Sequence, residues 1–143
     1  MGLNLIPAVN ISSSGLNAER HRMELTANNL ANVHSSKGKD GEVYKKRIAV
    51  FSSVFQNAKG NRPGAELAGV ELSSVELDQR PGRKSFIPGH PDADDQGFVE
   101  LPNISPIEEM LDMITATRAY EANLSVMKQC RDMAEKTITM GRA

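Results

Sequence analysis

The residues best suited to chemistry lie in one short run, Pro88-Gly89-His90-Pro91-Asp92-Ala93-Asp94-Asp95-Gln96-Gly97. Asp92, Asp94, Gln96 and Gly97 fall at the first, third, fifth and sixth positions of a calcium loop, whose hard oxygen ligands alternate along the chain. The twelfth position of such a loop carries a bidentate Glu, and here it is Asn103. The prolines ahead of the run also forbid an entering helix. A tight surface turn, where Asp and Gly are the expected residues, explains the same letters more simply. His90 could act as a base beside Asp92 or Asp94, but no nucleophile stands in a recognisable elbow. A small metal-binding or hydrolytic protein centred on the His90–Asp94 turn is therefore the alternative reading.

Other chemical signals are weaker. Cys130 is the one cysteine, so no intrachain disulfide can form, and at helical spacing it reads as a small buried apolar residue. His21 and His34 sit in polar surroundings on the first helix and at its end. Neither phosphate-cradling glycine pattern is present. The formal net charge of -1 argues against a nucleic-acid partner, which would call for a basic face. The short run Lys45-Lys46-Arg47 reads as a solvated strand face. Met1 to Pro7 has no basic lead and no long apolar stretch, so no cleaved targeting signal is expected. No apolar run is long enough for direct membrane insertion.

The elements that would position these residues follow from periodicity. Residues 1–34 carry an amphipathic helix from about Pro7 to Val33. Val9, Leu16, Met23 and Leu30 recur at steps of seven, a narrow coiled-coil-like seam. Residues 35–104 hold most of the glycines and five of the seven prolines, the punctuation of turns. Val43 to Phe51 and Val70 to Leu77 read as strands, with Phe86-Ile87 and Phe98-Val99 as shorter ones. The apolar phase of the second strand changes at Ser73-Ser74, which predicts a bulge. Gln56 to Ala68 reads as a flexible loop.

Residues 105–143 open on Ser105-Pro106-Ile107-Glu108, a capping box with proline at the first helical position. A helix to roughly Met140 follows. Met110, Met113, Thr117, Tyr120, Leu124, Met127, Ala134 and Ile138 form its three-four seam, and Arg131 is the misfit. About 35 helical residues at ~1.5 Å each span ~50 Å, whereas a compact chain of this length has a radius of gyration near ~14 Å. The expected fold is thus α+β: long N- and C-terminal helices packed together as a coiled coil, with an inserted β-rich region at one end. Aromatics are 4% of the 143 residues and there is no Trp, so the core must rely on aliphatic side chains. Ile107, Leu111, Ile114 and Val126 fall off the seam and require further partners, which points to assembly. The expected assembly interface comprises Val9, Leu16, Met23, Leu30, Met110, Met113, Tyr120, Leu124, Met127 and Ile138.

Ala27-Asn28-Asn29-Leu30-Ala31-Asn32-Val33 resembles the N-terminal signature of the flagellar axial proteins, the family of rod, hook and hook-associated subunits. Gly41 to Arg47 resembles the strand that follows it in rod proteins. Pro88 to Asn103, Glu108-Glu109-Met110 and Arg118-Ala119-Tyr120-Glu121-Ala122-Asn123 are similar to the proximal rod members of that family. His34-Ser35-Ser36 depart from the Asn-Thr and glycine usual after the signature. The resemblance implies a structural rod subunit in the periplasm, with no enzymatic activity and no cofactor. It implies export by the flagellar type III apparatus without a cleaved signal, and terminal helices that line a central channel. The implied partners are other proximal rod proteins, the distal rod protein and the base-ring or export-gate adapter, in homo- and hetero-oligomeric contacts. A soluble helical adapter for another protein's coiled coil is a third reading, which a stable, fully folded monomer would favour.

Overall fold

The computed structural model describes residues 7–38, 41–57 and 65–141, with the side chains of Pro7, of 55–57 and of 65–68 left aside. Two helices enclose four strands in the order α1 (Pro7–Ala31), β1 (Arg47–Asn57), β2 (Ala65–Leu77), β3 (Arg83–Phe86), β4 (Phe98–Leu101) and α2 (Pro106–Met140). The architecture is α+β, as the periodicity predicts. Proline at the first turn of each helix costs nothing, because that N–H has no partner inside the helix. The expected capping box does not close: Ser105 is the N-cap of α2 but makes no side-chain cap hydrogen bond. Glu108 and Glu109 in the first turn still complement the helix dipole.

The helices run antiparallel. Gly15 lies against Asn123, the Thr117 hydroxyl is 3.5 Å from the Met23 sulfur, and Asn29 meets Glu109. On α2 the residues withdrawn from solvent recur at steps of three and four: Glu109, Met113, Ala116, Tyr120, Asn123, Met127, Cys130 and Ala134. This corrects half of the expected seam. Glu109, Ala116, Asn123 and Cys130 take the places assigned to Met110, Thr117, Leu124 and Arg131. A reading by hydrophobicity prefers Met and Leu, but the close approach of α1 favours small residues at 116 and 130, Asn123 against Gly15, and Glu109 where Asn29 partners it. Cys130 resolves the Arg131 misfit.

The strands form two separate antiparallel hairpins, β1 with β2 and β3 with β4. Val50 pairs with Ser74 and Phe51 with Leu72, leaving Ser73 as the extra residue of a bulge where the change of phase predicts one. The expected loop from Gln56 to Ala68 is too long. Pairing continues to Asn57 and resumes at Ala65, and 58–64 lie outside the described residues. The β-rich region is also not confined to one end. β2 and β1 contact α1 along its side, whereas β3 and β4 contact neither helix. The first hairpin is seated by Ser14, whose Oγ donates to Ile11 O at 2.7 Å and accepts from Val70 N at 3.1 Å. Gly69 beside it has a φ of 142°.

Fully buried apolar side chains are few. Val99, Leu101, Pro102 and Ile104 cluster where β4 leads into α2, and Ala18, Ala116 and Cys130 are small. Of the four largest fully buried side chains, two are the polar pair Glu109 and Asn29. Burying such a pair is costly unless its polar atoms find partners inside the chain.

Candidate functional site at the junction of the two helices

The polar pair is the centre of a cluster that joins the end of α1, the start of β1 and the start of α2. Asn29 uses its whole side-chain amide. Its Oδ1 accepts from Arg47 N at 2.9 Å and from the Tyr44 hydroxyl at 3.1 Å. Its Nδ2 donates to Arg47 O at 2.9 Å and to Glu109 Oε2 at 3.1 Å. One amide therefore pairs with both backbone groups of Arg47, as a neighbouring strand would, and satisfies buried groups that would otherwise lack partners. Lys46 Nζ lies 2.6 Å from Glu109 Oε1, an ion pair whose angles fall short of hydrogen-bond geometry. The Tyr44 hydroxyl pKa is raised, chiefly by burial, with the Glu109 carboxylate adding and Arg47 opposing.

This corrects the expectation for the basic run at Lys46 alone, since Lys45 and Arg47 are exposed as a solvated face requires. Lys46 is drawn inward by the carboxylate, and Arg47 is anchored through its backbone. The last Asn of the α1 signature has a different task. Asn32 Nδ2 donates to Asn28 O at 2.8 Å and its Oδ1 accepts from Ser35 Oγ at 3.2 Å, closing the helix end. Sequence periodicity could not have found Glu109 or Lys46, since charged residues count against burial in any such scan. Two charges 63 positions apart carry no spacing signal.

The acidic run is a turn. Gly89 and Gly97 have φ of 93° and 81°, conformations open to glycine. Asp94 Oδ1 accepts from Gln96 N and Phe98 N at 3.0 and 2.8 Å. Asp92 Oδ2 accepts from Ser36 Oγ at 2.6 Å, and Lys37 Nζ is 3.5 Å from Oδ1. His90 Nδ1 accepts from Asp92 N at 3.1 Å, which spends the nitrogen that a base would need there. The carboxylates thus bind the turn together and tie it to the loop after α1. Among the described residues no group of three His, Cys, Asp or Glu is placed to hold a metal ion, and no helix is long and apolar enough to cross a membrane.

Two carboxyls here should respond to acid. The hydrogen bond from Ser36, then Lys37, holds Asp92 below the usual carboxylate range. Asp78 is held at about 2, first by the Arg80 side chain, whose Nη2 donates to its Oδ2 at 2.7 Å. Lowered folded-state values mean stability that is present above the ordinary value and lost as pH falls. For Asp78 that loss runs from 3.8 toward about 2. A carboxyl NMR titration should show both midpoints depressed, and that of Asp92 should return toward normal in Ser36→Ala.

The sequence-expected interface residues divide. Val9, Leu16, Met23 and Leu30 on α1 and Met113, Tyr120 and Met127 on α2 are half-buried within the chain. Met110 and Leu124 stand off the intrachain seam, 52% and 38% exposed, while Ile138, in phase with the seam, lies past the level of Pro7 and is 60% exposed. Ile107, Leu111 and Ile114 form an apolar stripe on the side of α2 turned away from α1, with Ile107 80% exposed. Phe86 and Phe98 are T-stacked at 5.4 Å on the second hairpin, with Phe86 largely in solvent.

A pair of long antiparallel terminal helices around a β insertion, with apolar surface left over, suits a subunit of an axial assembly. The sequence model of the family described as "Flagella basal body rod protein" matches residues 10–34. That described as "Flagellar basal body rod FlgEFG protein C-terminal" matches residues 95–140. The class these matches define is the flagellar basal-body rod protein. Whole-chain relatives narrow it. The flagellar basal-body rod protein FlgC of Borreliella burgdorferi is 35% identical, spanning 96% of this chain and 98% of that protein. FlgC of Yersinia enterocolitica is 35% identical over 98% of this chain and 100% of its own length. FlgC of Aquifex aeolicus is 39% identical over 94% and 96%. The chain belongs to the FlgC family of flagellar basal-body rod proteins.

Proposed function

We propose that the chain is a structural subunit of the proximal rod, assembling with other rod proteins into the shaft that transmits torque from motor to hook and encloses the export channel. It is a structural protein and not an enzyme, in keeping with relatives that are named as rod proteins. The observation that carries the assembly reading is the apolar stripe Ile107, Leu111 and Ile114, exposed on the far side of α2 from α1. A folded monomer gains nothing by presenting branched aliphatic side chains along a helix, whereas a subunit buries them on joining its neighbours. The partners are other copies of the chain, other proximal rod proteins, the distal rod protein and the base-ring or export-gate adapter. The site of action is the periplasmic part of the basal body, reached by type III export.

In this reading residues 1–34 and 105–143 form one discontinuous coiled-coil domain, and 35–104 are its β-rich insertion. The half-buried rows of α1 and α2 serve the intrachain pairing. Met110, Leu124 and Ile138 join the exposed stripe in contacts between subunits.

Leu111→Asp tests this. Leu111 is 61% exposed, so the isolated chain should change in stability by no more than about half a kcal/mol beyond helix propensity. In an assembly the change forfeits roughly 2 kcal/mol of apolar burial and desolvates a charge at every copy. Complementation of a strain lacking this subunit should then yield secreted, folded protein but neither rods nor swimming. Normal swimming would show that this stripe faces solvent in the rod.

A further inference from the structure

The rows that pair α1 with α2 repeat every seven residues on both helices. On α2 they are Glu109, Ala116, Asn123 and Cys130, with Met113, Tyr120, Met127 and Ala134 beside them; on α1 one row is Val9, Leu16, Met23 and Leu30. Such repeats match themselves after a slide of one heptad, about 10.5 Å along the axis. The slide would carry Met23 from Thr117 to the level of Leu124. Helix overlap does not oppose it. The pairs Gly15 with Asn123 and Met23 with Thr117 put Pro7 level with the turn just after Cys130, and α2 continues to Met140. Sliding in that direction keeps all of α1 covered.

The Asn29–Glu109–Lys46 cluster occurs once and has no match one heptad away. After a slide, Ala116 would face Asn29, and the carboxylate of Glu109, now 1% exposed, would lose both the amide that hydrogen-bonds it and the ammonium that neutralises it. We propose that this cluster is a register lock: its role is to select one alignment of the two terminal helices from a set that the repeating seam leaves nearly equal. A buried ion pair is often no more stabilising than apolar residues of the same size, and a single buried polar site is the best attested means of fixing register. Asn29 also holds the backbone of Arg47, so the lock fixes the start of β1 against the same alignment.

The test is cysteine cross-linking in the purified full chain carrying Cys130→Ala. One protein has Met23→Cys with Thr117→Cys, reporting the native alignment; another has Met23→Cys with Leu124→Cys, reporting the slide. Each is made with and without Lys46→Met and Glu109→Leu together, which keeps Asn29 on Arg47 but removes the charges. With the charges present, only the first pair should cross-link. With them replaced, circular dichroism and the thermal midpoint should be retained or raised, and both pairs should cross-link. If the double replacement cross-links only the native pair, the remaining packing between the two helices sets the alignment and the proposal falls. It falls equally if the charge-free chain does not fold, because the cluster would then supply stability rather than alignment, or if the slid pair cross-links with the charges in place.

Discussion

Lys46→Met alone is expected to cost about 3–5 kcal/mol, the penalty for leaving a buried carboxylate without its partner. Glu109 is 1% exposed, so water cannot take the place of the lost ammonium, and Asn29 supplies only one hydrogen bond to Oε2. Methionine nearly matches the lysine stem in volume, so the loss reports charge rather than packing. Denaturant unfolding of the pure chain measures it. Glu109→Leu added to Lys46→Met should recover the whole loss or more, since no charge then remains buried. If Lys46→Met changes stability by less than about 1 kcal/mol, the range of an exposed pair, Lys46 and Glu109 behave as surface charges. A loss that the second change does not recover would instead locate the defect in packing.

Gly69→Val should be nearly as severe, for a different reason. The backbone of Gly69 has a φ of 142°, which a β-branched residue adopts only at a cost of about 1–3 kcal/mol. A Cβ there would also come within 2.9 Å of the Ser14 Cβ and closer still to its hydroxyl. Relieving that overlap adds a similar amount and breaks the contact by which Ser14 receives Val70 N. We expect a loss of roughly 3 kcal/mol or more, with the hairpin released from α1. Hydrogen exchange would then show the Val70 amide unprotected while the α1–α2 pairing near Asn29 remains. Pairing Gly69→Val with Ser14→Gly should relieve the overlap but not the backbone strain, so rescue should be partial.

The chain also shows why aromatic scarcity matters to its design. Phe51 carries the Arg22 guanidinium 5.6 Å above its ring, and Phe86 and Phe98 stack on each other at the surface. None of these three is among the buried residues, which are small, aliphatic or polar. Close helix approach through Gly15 and Ala116 takes the place of large rings. Such a core leaves most large aliphatic side chains of α2 free for contacts beyond the chain.

Elements whose origin is local were legible in the sequence. Proline and the first-turn acids set the start of α2, and its uninterrupted pattern set its length to Met140. The change of apolar phase marked the bulge at Ser73, and Asp and Gly marked the acidic turn. The α1 signature was legible as a signature but not as a mechanism. What only the tertiary structure decided is pairing between residues far apart in the chain. Periodicity located a seam on α2 but chose Met110 and Leu124 over Glu109 and Asn123, because it ranks residues by hydrophobicity without knowing what stands opposite. Burial of a carboxylate depends on a lysine 63 positions earlier and an amide 80 positions earlier, and no local window contains them. Likewise the first hairpin lies along α1 because Ser14 and Gly69 fit each other, a fact of shape that neither residue states alone.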